Sequence, residues 1–183
     1  MLNKNNKAQV WVETVIYTLI GLVLIGIVLA VATPAIQKQK DKSTIERTID
    51  AMNELDRNIL GVKGAGVANT REMSFSIGKG TLIVNSPNDK IFFQIDESSY
   101  PYSETGKSVD IPGTNQEVLT QKKGKKYLIT LTLDYSRKID ITFNSKDEKK
   151  ILTQASTPYV IIVENNGLPD AESLVNIDLY TAS

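Results

Sequence analysis

The sequence predicts an α+β protein with a long, partly transmembrane N-terminal α-helix followed by an antiparallel β-sandwich-like head. Three observations support this prediction. No charged side chain lies between Glu13 and Lys38. Residues 38–60 then repeat apolar side chains at the spacing of an amphipathic helix. From residue 67 onward the pattern changes to short alternating segments separated by turn residues.

The first element is the apolar run at residues 14–37. A run of about 20 uncharged apolar residues is long enough to cross the hydrocarbon core of a bilayer as a helix. Lys4 and Lys7 precede the run, and basic residues favour the cytoplasmic side of a membrane. The sequence therefore predicts a cytoplasmic N-terminus, a cell-membrane location and a head outside the cell.

The helix is predicted to continue beyond the apolar run, because residues 38–60 keep a one-sided apolar stripe. The stripe consists of Ile45, Ile49, Met52, Leu55 and Ile59. Pro34 interrupts the pattern once, and membrane helices tolerate proline. The glycines at 61, 64 and 66 predict a helix end and a linker. We therefore divide the chain into a helix at 9–60, a linker at 61–66 and a head at 67–183.

The head is predicted to consist of about eight short strands. Alternating or strongly apolar segments occur at residues 73–77, 81–84, 90–95, 108–111, 118–121, 126–135, 138–143, 159–164 and 174–180. Turn residues such as Gly124 and the Asn165–Gly167 run separate them. Such closely spaced strands are typical of an antiparallel sandwich.

The composition excludes several kinds of chemistry. The 183 residues contain no His and no Cys, which removes the commonest general base and all thiol chemistry. The 21 basic and 21 acidic residues balance, so no nucleic-acid partner is expected. We therefore predict a structural or interaction protein rather than an enzyme, with no catalytic residue, no cofactor and no metal.

Two polar clusters have a structural explanation as well as a functional one. Lys122, Lys123, Lys125 and Lys126 form a basic group that would suit an anionic surface, but they flank a predicted hairpin turn without interleaved aromatic residues. The loops near 85–89 and 144–148 carry oxygen ligands, yet neither has the spacing of a calcium-binding EF-hand. We interpret both as solvated turns.

The segment before the apolar run carries a distinctive arrangement. Lys7, Ala8 and Gln9 are followed by Glu13, the fifth residue if Gln9 is counted as the first. This string resembles the class III (prepilin) signal peptide of archaeal type IV pilin-like proteins. In that family a peptidase removes a short basic leader, and a glutamate stands at the fifth position of the mature chain. The resemblance implies a leader at residues 1–8 and a processing site formed by Lys7, Ala8 and Gln9.

The same resemblance implies a function and a set of partners. The chain would be a structural subunit of a surface filament, used in adhesion and polymerised through copies of its own helix. Glu13 would pair with the free amine of Gln9 on a neighbouring copy. Its other partners would be the prepilin peptidase, the pilus assembly platform and its ATPase, and membrane lipid before assembly.

Other interpretations stay open from the sequence. A minor pilin or pseudopilin would share the helix but serve a secretion machine. A membrane-anchored extracellular binding module would keep residues 1–8. A secreted β-domain would be cleaved after Ala32 and begin at Thr33.

Overall fold

The helix α1 (Asn6–Ala65) is the first element of the computed structural model, which describes residues 6–170 and 173–182, with side chains from Val10 onward. The chain divides into two compact units between Lys40 and Asp41. The first unit contains the apolar part of α1, and the second contains its remainder and all the strands. The predicted α+β class is confirmed at this level.

In the first unit the apolar side chains of α1 are exposed on every side. Leu22, Val28 and Val31, for example, have 60–73% of their surface exposed. Pro34 lies within the helix. A helix that is apolar all round is stable only when lipid or other protein covers it.

In the second unit α1 buries one stripe in the head. The predicted stripe residues are all buried, and Val62 extends the same stripe by three positions. This extension explains why the predicted end at residue 60 is wrong: α1 continues to Ala65, so the first residues of the predicted linker are helical. The turn comes at Gly66, where φ is +96°, and the Asn69 side chain donates hydrogen bonds to the Ala65 and Gly66 carbonyls.

Ten strands follow α1 in the described residues. They are β1 (Thr70–Phe75), β2 (Thr81–Asn85), β3 (Lys90–Ser98), β4 (Ser108–Asp110), β5 (Gln116–Lys123), β6 (Lys126–Asp134), β7 (Asp140–Phe143), β8 (Lys149–Thr153), β9 (Tyr159–Gly167) and β10 (Asn176–Thr181). One turn of 3₁₀ helix (Ser86–Asn88) connects β2 to β3. The sequence did not predict β8.

The strands form two sheets. One has four strands in the order β1-β9-β10-β7, and the other has six in the order β4-β5-β6-β3-β2-β8. Inward residues of both sheets and the stripe of α1 belong to one hydrophobic core. The prediction of an antiparallel head is wrong for one pair, because β7 and β10 run parallel. Between them the chain passes through β8 in the other sheet, so no hairpin imposes an antiparallel arrangement.

Candidate assembly helix

Glu13 is the only acidic residue before Asp41. Its side chain is exposed, and so are those of Val10 and Tyr17, one helical turn to either side. Among the side chains described from Val10 onward, none forms an ion pair with the Glu13 carboxylate. A carboxylate without a partner is costly once water is removed. If the helix becomes dry, Glu13 therefore needs a donor from beyond these side chains.

The threonines of the first unit need no such outside donor. Thr14, Thr18 and Thr33 each donate the side-chain hydroxyl to the backbone carbonyl four residues earlier, at 2.7–2.9 Å. These hydroxyls are satisfied within the helix even where water is absent. Among the described side chains near the start of the apolar run, Glu13 is thus the one that is poorly suited to a dry environment.

The predicted processing residues are only partly described. The backbone of Lys7, Ala8 and Gln9 is helical, while their side chains and the predicted leader residues 1–5 lie outside the description. In an α-helix, positions four residues apart lie on the same face, about one turn from each other. Gln9 and Glu13 therefore share a face of α1.

A buried carboxylate joins α1 to the head within the second unit. Asp56 has 3% of its surface exposed and accepts hydrogen bonds from the Tyr135 hydroxyl at 2.7 Å and the Asn115 amide at 2.8 Å. Burial, followed by the Asp56 charge, raises the pKa of Tyr135. The Tyr135 hydroxyl therefore stays protonated at neutral pH and donates to Asp56. The sequence analysis missed this network, although Asp56 lies next to Leu55 at helical spacing from both Met52 and Ile59 and so borders the apolar stripe.

Two buried amides also bind the backbone of α1. The Gln116 side chain donates to the Ile49 carbonyl at 2.9 Å, and the Asn165 side chain donates to the Val62 carbonyl at 3.1 Å. Gln116 belongs to the six-stranded sheet and Asn165 to the four-stranded sheet. Both sheets therefore hold the same helix through directional contacts as well as apolar packing.

Asp41 anchors the start of the second unit. It is 2% exposed and accepts hydrogen bonds from the Lys79 ammonium at 2.9 Å and the Ser99 backbone N–H at 2.7 Å. Burial alone would raise the pKa of Asp41, but the Lys79 and Ser99 hydrogen bonds and the Lys79 charge outweigh it and lower the pKa. The ionised form is therefore the one that stabilises the head.

Asp89 is a carboxylate in a less favourable environment. Its backbone is left-handed, with φ of +50°, and its side chain accepts a hydrogen bond from the Ile141 backbone N–H at 2.8 Å. Burial raises the pKa of Asp89 despite that hydrogen bond, and the charges of Asp140, Asp147 and Asp134 raise it further. A neutral side chain would suit this position better.

The remaining sequence candidates lie in loops of the head. The predicted hairpin turn is confirmed, because β5 and β6 pair up to Lys123 opposite Lys126, with Gly124 at φ of +62° between them. In the described part of the chain, no group of three or more acidic side chains could hold a metal ion. Tyr100 and Tyr102 pack against the hydrophobic core.

By length and composition, α1 contains a segment apolar enough to cross a membrane, and none of that segment is buried. Such a helix could anchor the chain in a bilayer. Comparison of the chain with protein-family models, curated proteins and solved structures finds no match.

Proposed function

We propose that this chain is a structural subunit of a type IV pilus-like surface filament that polymerises through α1. One observation carries the proposal: a single helix is exposed and apolar on every side in the first unit, and buried along one stripe in the second. The exposed part suits lipid first and copies of itself later. The buried part fixes that helix to a globular head.

The part of α1 in the first unit has a large apolar surface that lipid or protein must cover. More than ten large apolar side chains between Val10 and Ile36 are at least 44% exposed. Each gains about 1.5–3 kcal/mol when it is removed from water. Moving the helix from a bilayer into a bundle of like helices keeps these side chains dry throughout. Assembly in that way needs no refolding of the head.

Glu13 is the proposed assembly residue. In lipid its carboxylate is costly, and in a bundle it can be compensated by a donor on a neighbouring copy. The amine of Gln9, freed by cleavage after Ala8, is the donor that the family resemblance implies. The N-terminus before cleavage would be cytoplasmic, in keeping with Lys4 and Lys7.

The partners follow from this route. A prepilin peptidase would remove the leader, and an assembly platform with its ATPase would extract the subunit from lipid. The finished filament would be an extracellular homopolymer with a use in adhesion. The same helix would also suit a minor pilin or a membrane-anchored binding module, and the experiments below separate these.

The first experiment measures the N-terminus of the native extracellular protein by intact mass. The proposal expects a chain that begins at Gln9, either free or cyclised. A start at Met1 would favour the anchored module, and a start at Thr33 would favour a secreted domain. Sheared filaments composed mainly of this chain would separate a major subunit from a minor one.

The second experiment replaces the assembly residue. Glu13→Ala should leave membrane insertion and cleavage intact but lower the yield of sheared filaments, because the donor on the neighbouring copy loses its acceptor. Glu54→Ala is the matched control, since Glu54 is an exposed carboxylate on the part of α1 that belongs to the second unit. Wild-type filament yield from Glu13→Ala would remove the proposed role of Glu13.

A further inference from the structure

The outer face of the four-stranded sheet is acidic. The alternation of buried and exposed residues along β1, β7 and β9 places Glu72, Asp140 and Glu164 on this face. Asp178 of β10 lies on the same face by register but is only 5% exposed. The strand register sets Asp178 directly opposite Glu164, and Glu72 lies opposite Ile162 in the next row. Among the described strand residues, this face carries no lysine or arginine.

The negative charge of this face is not neutralised within the described residues. The Glu164 and Asp140 carboxylates accept hydrogen bonds from neutral donors, the Tyr180 hydroxyl and the Asn176 amide. The buried Asp178 carboxylate accepts three, from the Thr142 hydroxyl and from the backbone N–H and hydroxyl of Ser145. None of the ion pairs among the described residues includes the four acids. Burial, the hydrogen bond to Glu164 and the charges of Glu164 and Asp178 raise the pKa of Tyr180. Like charges on opposed strands are destabilising unless something compensates them.

An extended basic partner would match such a spread of charge better than a single ion. The acids do not form a group of three that could hold a metal in the described part of the chain. Half-buried Val160 and Ile162 lie on the same face between the acids. A surface of this kind suits lysine side chains, whose apolar stems cover hydrocarbon while the ammonium groups meet carboxylates.

A surface of that chemistry exists on the same chain. The tip of the β5–β6 hairpin carries Lys122, Lys123, Lys125 and Lys126 around Gly124, and all five residues are exposed. Lys123 stands directly opposite Lys126, a like-charge pair. Only Lys123 has an ion-pair partner among the described residues, an exposed contact with Asp96 at 3.4 Å. We call these four lysines the basic tip.

We propose that the basic tip of one copy docks on the acidic outer face of the four-stranded sheet of the next copy. This would be a contact between the heads of neighbouring subunits in the filament. The tip belongs to the six-stranded sheet and the acidic face to the other sheet, so each copy offers two different surfaces. Contacts between unlike surfaces do not close into a symmetric pair, and they generate an open helical filament when the rotation between copies does not close a ring. The inference rests on the proposed function, and it adds a head contact to the helix contact.

The experiment reverses the charges in the full chain, expressed in assembly-competent cells, and measures leader removal by intact mass and the yield of sheared filaments. Lys122→Glu/Lys125→Glu should lower the yield at least about tenfold, because like charges across a contact are strongly unfavourable. Arg137→Glu/Lys149→Glu is the control with the same change in net charge on exposed residues away from the tip. This control should assemble like the wild type.

A charge swap tests the pairing itself. Glu72→Lys alone should also lower the yield, and its combination with the reversed tip should recover filaments that neither change allows alone. Glu72 is exposed on an edge strand, so this change does not disturb the core. Wild-type filaments should loosen as salt rises, because screening weakens exposed charge pairs.

Three outcomes overturn the inference. The reversed tip could assemble at the wild-type level, the control could fail equally, or the swap could fail to recover filaments from two variants that fold by circular dichroism. Loss of binding to anionic vesicles with unchanged filaments would assign the tip to a surface other than a second copy. Failure of the wild type to form filaments would instead refute the proposed function, so the two failures are distinguishable.

Discussion

The most direct test of the helix–head relation compares two leucines on α1. Leu55 is fully buried in the head, whereas Leu60 has 39% of its surface exposed. Both changes to alanine remove the same atoms from the same helix with the same gain in helix propensity. Leu55→Ala leaves a cavity in the core and should cost about 3 kcal/mol, while Leu60→Ala should cost under about 1 kcal/mol.

The expected shift in melting temperature follows from the size of the head. For a unit of this size, 1 kcal/mol corresponds to roughly 2–4 °C, so Leu55→Ala should lower Tm by about 6–12 °C. The assay is thermal unfolding of the full chain in mild detergent, followed by near-UV circular dichroism. Every tyrosine except Tyr17 lies in the second unit, whereas the single tryptophan, Trp11, lies in the first, so the tyrosine part of this signal reports mainly on the head.

The comparison refutes the reasoning if the two variants melt within about 2 °C of each other. That result would mean that the stripe of α1 is not part of the core of the head. It would also remove the structural basis for a helix that carries the head into a filament.

Three further predictions concern the head, each measured by the same melts. Asp89→Asn should raise Tm at pH 7, because the raised pKa of Asp89 means that its ionised form is disfavoured in the folded state. This gain in Tm should vanish below about pH 4, where the carboxyl is protonated in the unfolded chain as well. Gly80→Ala should lower the free energy of unfolding by about 2 kcal/mol or more, because φ is +106° and a Cβ would meet the backbone of β3. Gly78→Ala, whose Cβ would meet open space, should lower it by less. Tyr135→Phe should cost about 1–3 kcal/mol, because buried Asp56 loses one of its two donors.

The elements set by local pattern were predictable from the sequence. The apolar run and the stripe from Ile45 to Ile59 follow the helical period, and the structure confirms one helix through both. The end of that helix was not predictable from its glycines. Gly61 and Gly64 are weak helix formers, but burial of Val62 outweighs their cost, and the helix ends only where Gly66 adopts a left-handed backbone.

Features that depend on distant pairing escaped the sequence analysis. The strand β8 has only five residues and stands at a sheet edge with Ile151 half exposed, so its pattern is too short and too mixed to identify. The parallel pairing of β7 with β10 depends on the crossing of the chain between sheets. The Asp56 network joins residues 79 positions apart, and only the position of Asp56 beside the apolar stripe signals it locally.

The distribution of polar groups along α1 links the fold to the proposed assembly. In the second unit the buried acids Asp41 and Asp56 have donors supplied by the head. Gln116 and Asn165 bind the helix carbonyls. In the first unit the threonines satisfy themselves, and the Glu13 carboxylate has no ion-pair partner among the described side chains. A monomer therefore completes the polar contacts of the part of α1 within the head, whereas in the proposed filament the carboxylate at the other end would be completed by a second molecule.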